Sequence, residues 1–94
     1  MLMTVHIAIG NSDDMLSQAE WSRYVYELRQ LVSASATTIH GVWFSAPDSA
    51  YQNACVGAAM SSEAVETVRA QLAALRHRYR QSSIAFNASE TELI

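Results

Sequence analysis

The apolar residues of this chain recur first at every second position and then at helical spacing; two further strand-like runs, a second helical stripe and a last strand-like run follow. That order of periods leaves few folds open. In MTVHIAIG, Val5, Ile7 and Ile9 alternate with Thr4, His6 and Ala8, the pattern of a half-buried strand ended by Gly10. The polar NSDDML reads as a loop. Ser17, with Glu20 three residues on, has the form of a capping box. Behind it Trp21, Tyr24, Val25, Leu28, Leu31 and Val32 keep helical spacing, and SASA weakens the helix over 33–36. TTIHGVWFS is β-branched and aromatic and reads as a second strand. APDSAY is a turn, and QNACVGAAM returns as the other arm of a hairpin. Gly57 in that arm marks a close backbone approach or a bulge. Ser61 or Ser62 caps a second helix striped by Val65, Val68, Leu72, Leu75 and Tyr79. SIAFNA closes the set as a strand with Ile84 and Phe86 inward, and SETELI extends it or frays.

The resulting order, β-α-β-β-α-β, is the ferredoxin-like pattern. Right-handed crossovers then give a four-stranded antiparallel sheet of order 4-1-3-2 with both helices on one face, an α+β fold spanning residues 1–94 as a single domain. Alternation assigns Val5, Ile7, Ile9, Ile39, Trp43, Val56, Ala58, Met60, Ile84 and Phe86 to the helix side. It assigns His6, Val42, Phe44 and Cys55, among small residues, to the open face. Only 16% of the 94 residues are charged and half are hydrophobic, against a usual charged share of about a quarter. Some apolar surface is therefore expected to be covered, and the open face is the expected seam of a homodimer.

The same topology gathers three loops at one end: NSDD, APDSAYQN and RHRYRQSS. There Asp13, Asp14 and Asp48 are expected to face Arg76, Arg78 and Arg80, whose planar forks suit carboxylates. Asn11, Gln52 and Asn53 add neutral hydrogen-bonding groups. The cluster either stitches the loops together or contacts a partner protein through Asn11, Asp13, Asp14, Asp48, Gln52, Asn53, Arg78 and Arg80. Nucleic acid fits poorly. The net charge is −3, every one of the six cations is arginine, and the neighbouring carboxylates repel phosphate.

Other chemistry finds little support. Cys55 is the only cysteine, which excludes an internal disulfide and suits a reducing, cytoplasmic setting. MLMTVHIAIG is apolar but lacks a basic leader, and no run has the length of a membrane span. His6, His40 and Cys55 could share the open face, but His40 and Cys55 fall at opposite ends of the hairpin and no close ligand pair supports a metal. Gly10, Gly41 and Gly57 are isolated, so no phosphate-cradling loop forms. Asp13 and Asp14 make no recognised acid–base pair. No catalytic residue and no cofactor is assigned. One aromatic on the open face is too few for an RNA-stacking sheet.

VHIAIGNSDD, LSQAEW, VWFSAPDSAYQNAC and RYRQSSIAF resemble short uncharacterised proteins of actinobacteria and their phages or prophages. The resemblance implies an intracellular accessory protein and carries no activity with it. Length and an apolar open face are also similar to the dimeric α+β barrel proteins, some of which are cofactor-free oxygenases or isomerases with a cavity between sheet and helices. In that alternative, an enzyme or small-ligand binder, His40, Trp43 and Asn53 would line the pocket. The first expectation remains a non-enzymatic interaction protein acting as a homodimer on a host or phage protein.

Overall fold

The computed structural model describes residues 1–11 and 13–94; Ser12 of the first loop lies outside them. The elements run β1 (Leu2–Gly10), α1 (Gln18–Ser35), β2 (Thr38–Phe44), β3 (Asn53–Ser61), α2 (Ser62–Arg78) and β4 (Ala85–Glu90). All strand pairs are antiparallel and the sheet order is β2-β3-β1-β4, the expected order read from the other edge. The fold is ferredoxin-like.

Local sequence explains the element ends. Ser17 Oγ accepts from the Glu20 amide and Glu20 Oε1 accepts from the Ser17 amide, each at 3.1 Å, so the capping box forms in full. SASA does not stop α1 early: the helix runs to Ser35, and the Ala36 amide still reaches Val32 O at 2.8 Å. Ser61 is both the last residue of β3 and the N-cap of α2, accepting from the Ala64 amide at 3.1 Å. No loop therefore separates that strand from its helix. β4 starts at Ala85 and runs on through Glu90, so the first two residues of the SETELI tail, Ser89 and Glu90, pair with β1.

The core lies between the sheet and the two helices. Val5, Ile7 and Ile9 of β1 and Val56, Ala58 and Met60 of β3 are buried against Tyr24, Leu28 and Val32 of α1 and Val65, Val68, Leu72 and Leu75 of α2. Both helices thus cover one face. Burying a side chain of this kind is worth about 1.5–3 kcal/mol each, and the central strand β1 carries three of them in alternation.

One strand departs from simple alternation. The register pairs Ile39 with Ala58 but Gly41, not His40, with Gly57. His40 is therefore an extra residue, a β-bulge, and everything after it changes side. Val42 pairs with Val56 and packs against the core, and Phe44 pairs with Ala54. Simple alternation puts both on the open face, and the bulge corrects it. Trp43, expected inside, pairs with Cys55 and lies on the open face, 53% exposed. Its indole lies across two glycines. A Cβ on Gly57 would meet Trp43 Cζ3 at 2.9 Å, and one on Gly41 would meet Cζ2 at 3.2 Å. The close approach read at Gly57 is thus made by a side chain. Gly57→Val is expected to push the indole off the sheet and cost about 1–3 kcal/mol, checked by urea denaturation and by the tryptophan emission of the folded state.

Candidate functional site

The three loops do meet at one end. A cleft of about 290 Å³ is lined by Asp13, Asn53, Gln81, Ser82 and Ser83, one or more from each loop. The residues expected to form a single polar cluster there nevertheless have different tasks.

Asn11 is 3% exposed. Its Oδ1 accepts from the Leu16 amide at 3.0 Å, and its Nδ2 donates to Leu16 O and to Gln52 Oε1, each at 3.1 Å. Its amide also donates to Gln52 O at 2.9 Å. Gln52 in turn exchanges two amide hydrogen bonds with Gln18, at 2.9 and 3.0 Å. Asn11 and Gln52 therefore bind the first loop, the hairpin and the start of α1 into one unit. Asn53 donates from Nδ2 to Tyr51 O at 3.3 Å, and its Oδ1 would lie 2.9 Å from a Cβ on Gly10, so only a glycine leaves it that place.

Arg78 and Arg80 turn to α1, and Arg76 turns to its own helix stop, not to the aspartates. Arg80 Nη2 donates to Glu20 Oε2 at 2.8 Å, and Arg78 Nη1 lies 3.3 Å from Glu27 Oε2. Arg76 Nη1 donates to Gln81 O at 3.1 Å. The expected facing of Asp13, Asp14 and Asp48 by arginine is corrected accordingly. α1 begins and α2 ends at the same end of the fold, so the first turns of α1 offer carboxylates closer to hand. The Arg80 hydrogen bond, followed by the Ser17 amide, holds the Glu20 carboxyl below its ordinary value of 4.5.

The backbone of this stretch is a helix stop. The Gln81 amide reaches Arg76 O at 3.0 Å, and the Arg80 amide reaches His77 O at 3.1 Å. Arg80 has φ 57°, a left-handed position that glycine usually fills in such a Schellman turn. Asp13 is spent partly on its own loop, where Oδ1 accepts from the Met15 amide at 3.2 Å. Asp14, at φ 54°, and Asp48 stay exposed. Glu20, Glu27 and Gln18 are the residues sequence reasoning missed. The seven-residue interval from Glu20 to Glu27, two helical turns on one face, was the available signal.

The second candidate surface is the open sheet face. Alternation through the register places Leu2, Thr4, His6, Ala8 and Gly10 of β1 there, facing Cys55, Gly57 and Ala59 of β3. Thr38, Gly41 and Trp43 complete it on β2, and Ala85, Asn87 and Ser89 on β4. None of these is Asp, Glu or Arg. His6 is exposed and Cys55 half-buried. Of the three residues read as a pocket lining, Trp43 and Asn53 lie on this outer face, and His40 is an exposed bulge residue at the sheet edge. They do not surround a space between sheet and helices.

No helix among the described residues is long and apolar enough to cross a membrane.

No protein-family model matches the chain, and no curated protein matches its sequence. Solved structures do match. A dimeric ferredoxin-like protein of unknown function from Thermobifida fusca is similar at TM-score 0.63 and 15% identity, over 96% of this chain and 92% of that one. A protein of Arabidopsis thaliana matches at TM-score 0.59 and 14% identity, over 100% and 98% of the two chains. A putative PII-like signalling protein of Thermus thermophilus matches at TM-score 0.55 and 16% identity, over 94% and 83%. At such identities the likeness is one of fold, and this fold hosts many unrelated functions.

Proposed function

We propose that the protein acts as a homodimer joined through its open sheet faces and serves as a non-enzymatic interaction module for another protein. The observation that carries the dimer is the chemistry of that face. Four strands present no acidic side chain and no arginine, and at one edge a tryptophan lies half exposed. Strands about 4.8 Å apart, rising about 3.3 Å per residue, make a footprint of roughly 20 by 25 Å. Pleated relief raises its accessible area toward the roughly 600 Å² per partner found at the small end of specific interfaces. The Thermobifida fusca protein of the same fold is described as dimeric, which supports the reading.

For the partner, the loop end offers exposed Asp13, Asp14 and Asp48. Asn11 and Gln52 are occupied in holding the loops, and Arg78 and Arg80 in pairing with α1. A cytoplasmic, phage- or host-linked setting belongs to the same reading and rests on the sequence resemblance.

Trp43→Arg tests the dimer. Loss of the one exposed aromatic of that face, with a charge put in its place, is expected to weaken association at least thirtyfold, about 2 kcal/mol. Light scattering after size exclusion should give a dimer mass for the wild type at micromolar concentration and a monomer for the variant, with unchanged far-ultraviolet circular dichroism. A monomeric wild type, or a variant that stays dimeric, refutes it.

A further inference from the structure

The β2 edge of the sheet differs from the β4 edge. β2 is the outermost strand, and the Ser45 amide is bonded inward to Asn53 O at 3.0 Å. Backbone groups alternate along a strand, so those of Phe44 and Val42 point outward, away from β3. An open strand edge is a template for another strand, and proteins usually blunt it with charges or proline. β2 has neither from Thr38 to Phe44; its one guard is the bulge at His40. The opposite edge is protected, since β4 ends in Glu90 and Arg69 lies over the Phe86 ring, 4.7 Å from its centroid.

The exposed aromatics gather at the same place. Tyr26, Trp43, Phe44 and Tyr51 are each more than half exposed. All four lie on β2, on the hairpin beside it or on the flank of α1 next to it. Between α1 and β2 runs a groove of about 380 Å³ lined by Trp21, Val25, Tyr26, Phe44 and Arg29 with small polar neighbours. A second groove of about 240 Å³ continues it past Trp21 and Phe44 to Pro47 and Tyr51. No carboxylate lines either groove, and Arg29 has no ion-pair partner among the described residues.

We infer that this edge takes an extended peptide strand from a partner protein, with an acidic side chain flanked two residues away on each side by apolar ones. Main-chain hydrogen bonds to the outer edge of β2 hold the strand, and its alternate side chains enter the groove. The acidic residue meets Arg29, and its apolar neighbours meet Trp21, Val25 and Phe44. A second copy of this chain fits less well. Its β2 brings no carboxylate, and a twofold pairing sets one Arg29 toward the other. The inference rests on the reading of the protein as an interaction module but not on dimerisation, because face-to-face packing leaves this edge free.

The test uses the full chain and an end-capped probe, Thr-Val-Thr-Asp-Thr-Val-Thr, titrated to millimolar concentration and followed by backbone amide resonances. Shifts are expected at Gly41–Ser45 and along the facing side of α1, not at β4. Two further probes carry N-methyl groups on one or the other alternate set of residues, which leaves the protein untouched. Methylation of the set facing β2 should weaken binding at least tenfold, and methylation of the other set by no more than about twofold. Arg29→Glu should weaken the aspartate probe at least threefold, and replacing that aspartate by lysine should restore the loss. The inference is overturned by no binding at millimolar probe, by equal effects of the two methylated probes, or by shifts centred on β4. Light scattering of the same samples separates the readings. A monomer that binds refutes the dimer alone, and a dimer that does not bind refutes the strand site alone.

Discussion

Tyr24→Ala lowers the stability of the fold by about 3–5 kcal/mol, the range for truncating a fully buried aromatic, and Tyr24→Phe leaves it unchanged or raises it. The contrast follows from two halves of one side chain. The ring is fully buried, stacked on Tyr79 with centroids 4.6 Å apart and set edge-on to Trp21 at 6.1 Å. Removing it empties the space between Trp21 and Tyr79, where the start of α1 meets the end of α2. The hydroxyl is buried without a hydrogen-bond partner, and an unmet buried polar group costs about 1–3 kcal/mol. Phenylalanine keeps the ring and sheds that cost. The same burial pushes the phenol pKa from 10.0 up to about 12, with Arg76 acting in the opposite sense. A raised pKa means that the folded state holds the proton more tightly. Its contribution is complete below pH 10 and is lost as pH rises through 12. Wild type should therefore lose stability across that alkaline interval by more than Tyr24→Phe does. Urea denaturation of the three proteins at neutral pH, and of wild type and Tyr24→Phe at about pH 9 and about pH 11, on either side of the unfolded phenol's pKa, checks both statements.

Asn11→Ala is expected to cost about 3 kcal/mol. Asparagine here satisfies the buried Leu16 amide and carbonyl together and reaches Gln52 as well. Alanine strands both Leu16 groups, each at about 1–3 kcal/mol, although loop relaxation and entering water offset part of this. Asn11→Asp separates geometry from chemistry. Its Oδ1 still accepts from Leu16, but the second oxygen faces Leu16 O where a donor stood. It should be destabilised near neutral pH and regain stability as the carboxyl takes up a proton in acid. Thermal melts at about pH 7 and about pH 4, the latter near the ordinary aspartate pKa, give the comparison. Equal losses at both would show that the Leu16 carbonyl contact carries no weight.

Much of the fold was legible because each element carried its own signal. Val5, Ile7 and Ile9 marked β1, the Ser17–Glu20 box marked the start of α1, and Val65 to Leu75 marked the stripe of α2. The handedness of the crossovers then left one sheet order. What escaped was local and lateral. Alternation cannot count an extra residue, so the bulge at His40 reversed Val42, Trp43 and Phe44 with no warning except the glycine beside it. Topology brought three loops to one end, where they share a cleft, but it does not say which neighbours touch across that end. Loop adjacency sets Arg78 and Arg80 against aspartates, whereas the antiparallel helices put Glu20 and Glu27 nearer. Asn11 looks like a surface group in the sequence because a polar residue after a strand usually is one. Its burial depends on the path of a hairpin 41 residues further along the chain.

The bulge has a consequence for variation at this edge. With one residue more on β2 than on β3 between Ile39 and Gly41, inside and outside along Val42–Phe44 are decided by a count and not by the residues themselves. Closing the bulge with His40 kept in the ladder would exchange the tryptophan of the open face for the aliphatic and phenyl groups beside the helix, whereas excising the His40 codon would leave all three on the faces they now occupy. Ordinary substitutions reshape one surface at a time. A change of register here would rewrite both together, so the pairing of this strand against β3 is the quantity to compare first in any relative that departs from the present sequence.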